Sequence, residues 1–84
     1  MNKENLLINA LSLCRKGEWE AAHKIVQQDN SRLSAWLHGV IHQDEGDLSN
    51  ALYWFSRAGR CEPNPITADE LDHFEQVLTG SNVD

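Results

Sequence analysis

At 84 residues and 40% hydrophobic content, the chain is long enough for one domain with a small core, so marginal stability or self-association is expected. Its formal charge of −6 is unevenly placed: residues 1–60 carry seven acids and seven bases, whereas residues 61–84 carry six acids and neither Lys nor Arg. This balance repels phosphate backbones and offers no basic stripe, which argues against nucleic acid and anionic membrane and favours a basic or neutral protein partner.

Asn2, Lys3, Glu4, Asn5 and Asn9 break up the opening stretch, so neither a membrane span nor an export leader is expected there. Cys14 and Cys61 lack the dense, even spacing of a disulfide-stapled fold, and the cytoplasm is the expected compartment. Leu7, Leu11 and Cys14 recur at helical spacing and predict a first helix. Gly17 suits the left-handed conformation that ends it, and Trp19, Ala22, Ile25 and Val26 mark a second helix. After the turn residues Asp29, Asn30 and Ser31, the positions Leu33, Trp36, Leu37, Val40 and Ile41 predict a third helix running to about Glu45. Gly46 and Asp47 combine a helix stop with a helix cap, and Ala51, Leu52, Phe55 and Ala58 carry a fourth helix over about 48–60. Pro63 and Pro65 forbid its continuation. Thr67, Ala68, Asp69 and Glu70 fit a capping box, which opens a fifth helix through Leu71, Phe74, Val77 and Leu78 to Gly80. The expected fold is all-α, a single domain over 1–84.

An internal repeat appears at an offset of 29 residues: Gly17 falls on Gly46, Ala22 on Ala51 and Val26 on Phe55. With Gly39, Ala51, Phe55, Ala58 and Pro63, the segment 32–63 resembles one unit of the tetratricopeptide family, and 1–31 resembles a weaker one. His38 and His42 depart from that pattern, which places large apolar or aromatic residues there, and the expected tryptophan is displaced to Trp36. The resemblance implies two antiparallel helix hairpins, with residues 66–80 as a capping helix and 81–84 as a tail. It also implies protein or peptide binding without catalysis or a cofactor. In such an arrangement the first helix of each unit lines a concave face, here Leu7, Leu11 and Cys14 with Trp36, Val40 and Gln43. Two units are fewer than a repeat array needs, so the fifth helix is expected to cover that face, a partner helix or second subunit being the alternative.

Tyr53, Trp54 and Phe55 are consecutive and cannot share one buried stripe, since neighbouring helical residues diverge by about 100°. Phe55 belongs to the core, while Arg57 is spaced to lie over the ring of Tyr53 or Trp54. Residues of these types dominate interface hot spots. Trp36, His42, Tyr53, Trp54 and Arg57 are therefore the candidate binding residues, for a protein segment or for a homodimer. The second reading is a small-ligand or metal-responsive domain using His38, His42 and Glu45, which stack at i, i+4 and i+7. Two histidines at that spacing can chelate a metal, but a dependable site needs a third or fourth protein ligand. No phosphate loop, nucleophile elbow, HExxH or catalytic cysteine motif is present, so no enzymatic activity is expected.

Overall fold

A computed structural model describes residues 3–80; the expected tail at 81–84 lies outside them. Five helices follow one another: α1 (Lys3–Arg15), α2 (Trp19–Val26), α3 (Arg32–Asp44), α4 (Leu48–Ala58) and α5 (Thr67–Thr79). No strand occurs among the described residues, and no helix there is long and apolar enough to cross a membrane.

The repeat at offset 29 is visible in the backbone. Gly17 and Gly46 both take left-handed conformations, with φ of 80° and 82°. Each lets the next residue reach back across the turn: Glu18 N–H donates to the Leu13 carbonyl at 2.9 Å, and Asp47 N–H to the His42 carbonyl at 3.0 Å. Ala22 and Ala51 stand at equivalent places and are buried, as are Val26 and Phe55. The same turn thus folds α1 onto α2 and α3 onto α4. Ser31 caps α3 by accepting from Ser34 N–H, and Asp47 caps α4 by accepting from Asn50 N–H.

α3 is the central element. Every residue from 34 to 41 is buried, because α1, α2, α4 and α5 all pack on it. Its close approach to α4 depends on Gly39, where a Cβ would lie 2.7 and 2.8 Å from ring carbons of Phe55. Alanine would gain ~1 kcal/mol in helix propensity. Overpacking a buried ring that cannot retreat costs about 1–3 kcal/mol. Gly39→Ala should therefore lower stability by about 1 kcal/mol in urea denaturation, and Phe55→Leu in the same chain should reduce that loss. A stabilised Gly39→Ala protein would contradict the contact.

α5 lies across α3 and α1 and covers the expected concave face. Leu71, Phe74 and Leu78 are buried there with Leu7, Leu11, Cys14, Trp36 and Val40. Burial, reinforced by the Asp44 carboxylate and opposed by Arg15, pushes the Cys14 thiol up to about 12, so it is an inert core group. At the surface Arg15 donates to Asp72 and Glu75 of α5, at 3.0 and 2.7 Å.

The capping box does not form. α5 begins one residue earlier in register, with extended Ile66 at the N-cap and no side-chain cap bond, and Thr67 is already helical. Glu70 is drawn inward instead. Its Oε2 accepts from the Trp36 indole N–H at 2.6 Å and from Arg60 Nε at 2.7 Å; its Oε1 accepts from Arg60 at 2.9 Å and from Asn64 N–H at 2.9 Å. Burial raises the Glu70 pKa, but Arg60, Asn64 and Trp36 outweigh it and hold the carboxyl below the usual range.

Candidate functional site

α4 packs against α3 alone among the helices. Its buried stripe, Ala51 and Phe55, is bordered on one side by Leu48 and Leu52, 63% and 62% exposed, and on the other by Trp54. Beyond Trp54 lie Tyr53, 51% exposed, and Arg57.

These residues form a continuous ring system with the histidines of α3. The Tyr53 ring meets Trp54 edge-on, with centroids 5.1 Å apart. Trp54 stacks on His38 at 3.9 Å and 9°, and His38 in turn stacks on His42 at 5.0 Å and 14°. Arg57 closes the outer end. It donates to the Tyr53 hydroxyl at 3.2 Å, and its guanidinium carbon lies 5.3 Å from the Trp54 centroid and 5.8 Å from that of Tyr53.

A third histidine, His23 of α2, meets His38 and His42 edge-on, with centroids at 4.6 and 5.4 Å. Its Nε2 is 2.9 Å from Nε2 of His38, and the tautomers decide which of the two donates. Buried His38 is pushed down to about 4 by desolvation and by its two histidine neighbours, so its ring is neutral near pH 7. His42 Nδ1 has Glu45 at 3.2 Å and Asp47 at 3.9 Å, yet forms no well-directed hydrogen bond although that atom is buried.

Of the five residues predicted from sequence, His42, Tyr53, Trp54 and Arg57 come together, with His38 as the bridge. Trp36 does not join them. It is 8% exposed on another side of α3, where its indole N–H is held by Glu70, its ring meets Phe74 edge-on at 5.3 Å, and Arg60 lies 5.0 Å from its centroid. Glu45 does approach His42, while the remaining neighbour of the histidine pair, His23, has no counterpart in the spacing argument. The available signal was its place beside Ala22 and three residues before Val26, on the flank of the buried stripe of α2.

Comparison with known proteins adds no family. Neither a family model, nor a curated protein, nor a solved structure matches the chain. The chemistry of the site therefore rests on its own geometry. Among the described residues it combines an exposed cation on aromatic rings with a partly buried imidazole cluster.

Proposed function

We propose that this is a non-enzymatic protein-recognition module, of tetratricopeptide-like construction, that binds a segment of another protein along the Tyr53, Trp54 and Arg57 flank of α4. The observation that carries this reading is the placement of Arg57. Its guanidinium is exposed and held between the Tyr53 hydroxyl and the Trp54 face, and it pairs with no carboxylate among the described residues. A cation held in position this way loses little conformational freedom on binding, which is where rotamer-rich side chains usually forfeit affinity. Large aromatic surface beside it supplies the rest of a hot spot.

The partner implied is neutral or basic overall, since the excess acid of this chain would repel an acidic protein. It offers an apolar side chain to Tyr53 and Trp54 and a carboxylate or carbonyl oxygen to Arg57. The repeated turn at offset 29 supports the tetratricopeptide-like reading, and coverage of the concave face by α5 directs recognition to α4.

Tyr53→Ala and Arg57→Ala test the reading, because surface substitutions of this kind usually change stability by no more than about 0.5 kcal/mol. Each should leave the melting temperature within a few degrees of wild type. Each should also weaken the native complex at least about tenfold, a loss of ~1.4 kcal/mol. Unchanged binding, or unfolding of either variant, would remove the recognition role from these residues. Trp54→Ala is the less informative change, since it also strips the stacking partner from His38.

A further inference from the structure

We propose that His23, His38 and His42 form a binding site for a late first-row divalent cation, zinc, nickel or copper, with one ring nitrogen of each as ligand. Its ligands stand on α2 and α3, and it adjoins the α4 surface only through the Trp54–His38 stack. One nitrogen from each ring lies within 4.8 Å of the other two, and the Nε2 atoms of His23 and His38 are 2.9 Å apart. Ligand nitrogens on a tetrahedral ion at the usual zinc–nitrogen length are about 3.3 Å apart, so the observed pair at 2.9 Å has to open by about 0.4 Å. The partly exposed ring of His42 has to turn toward that pair as well.

A plain hydrogen bond between His23 and His38 accounts for two of the rings. It leaves the third unexplained, because His42 Nδ1 is buried without a hydrogen bond. The carboxylates of Glu45 and Asp47, 3.2 and 3.9 Å from that Nδ1, stand beside the site as outer-shell acids that can orient the His42 ring. An all-imidazole donor set selects zinc, nickel or copper over magnesium or calcium, which take oxygen ligands. The ring of His38 is already ordered by stacking on Trp54, and on metal binding the His23–His38 hydrogen bond breaks and whichever ring carries its proton on Nε2 shifts it to Nδ1. Three protein ligands leave one coordination position for water or a carboxylate. Because His23 stands on α2 and the other two on α3, the ion would fasten the first hairpin to the second.

The test uses the intact protein without a histidine tag, titrated with zinc chloride and separately with nickel and copper salts, by calorimetry and thermal melting. Saturable binding at one ion per chain is expected. At a free metal concentration about 100-fold above Kd, the melting temperature should rise by on the order of 10 °C. His23→Gln and His42→Gln should each weaken binding by at least about tenfold. His73→Gln, at an exposed histidine of α5, and Cys61→Ser, at an exposed thiol, should leave it unchanged. Since His38 is buried, its variant tests folding together with binding, and the decision rests on His23 and His42. The proposal is overturned by absence of saturable binding for all three metals, by a stoichiometry other than one, or by unchanged affinity in either His23→Gln or His42→Gln.

Discussion

Glu70→Ala should remove about 3 kcal/mol of stability, a large fraction of what an 84-residue domain has. The carboxylate is fully buried and is shared among Arg60, the Trp36 indole and the Asn64 amide, so one substitution takes the acceptor from four N–H donors on three residues. Arg60 retains some access to water, with 23% of its side chain exposed, which keeps the loss toward the lower end for a broken buried pair. The effect should depend on pH in a defined sense. The folded-state pKa of Glu70 lies below its ordinary value of 4.5, so the unfolded chain takes up the proton first as pH falls. The stabilisation is complete above about pH 4.5 and is lost as pH falls through the lowered folded value. Urea denaturation of wild type and variant should therefore differ most at pH 7 and converge as pH falls below the ordinary carboxyl value. A difference under about 1 kcal/mol at pH 7, or one that grows in acid, would contradict the role assigned to Glu70.

Phe74→Ala should be comparably damaging, at about 3–5 kcal/mol. Its ring is fully buried and meets Trp36 edge-on, so the substitution removes both a large apolar side chain and an aromatic pair. The consequence for behaviour matters more than the number. α5 would lose its grip on α1 and α3, and Leu7, Leu11 and Val40 would lose their cover. The variant should bind a hydrophobic dye and show a mass that rises with concentration, as expected of an exposed apolar patch. A Phe74→Ala protein that stays within 1 kcal/mol of wild type would mean that α5 is a loosely attached appendage.

Much of this fold is written locally. The two glycine turns, the Asp47 cap and the stripe Ala51, Phe55 and Ala58 follow from residues within a few positions of one another, and so their helices were legible in the sequence. The start of α5 was misread for the opposite reason. Thr67 and Glu70 have the spacing of a capping box, but Arg60 and Trp36 lie outside any local window and claim the Glu70 carboxylate. The candidate site divides in the same way. Arg57 over Tyr53 and Trp54, and His38 over His42, are neighbours on one helix face and could be derived from spacing. His23 comes from a different helix, and the side of α2 that meets α3 is set by how the two hairpins pack. Trp36 carried the residue type of a hot spot, but the groove it lines is occupied by the chain itself.

Recognition through the α4 flank is tested most directly by a photo-cross-linking residue at position 49, an exposed site one helical turn before Tyr53 that leaves Tyr53, Trp54 and Arg57 intact. The intact protein is illuminated in the cells that make it, with the same residue at exposed position 77 of α5 as the comparison. A discrete protein adduct from position 49, absent from position 77 and lost on Arg57→Ala, is the expected result. Equal adducts from both positions, or an adduct from position 49 that survives Arg57→Ala, would contradict it.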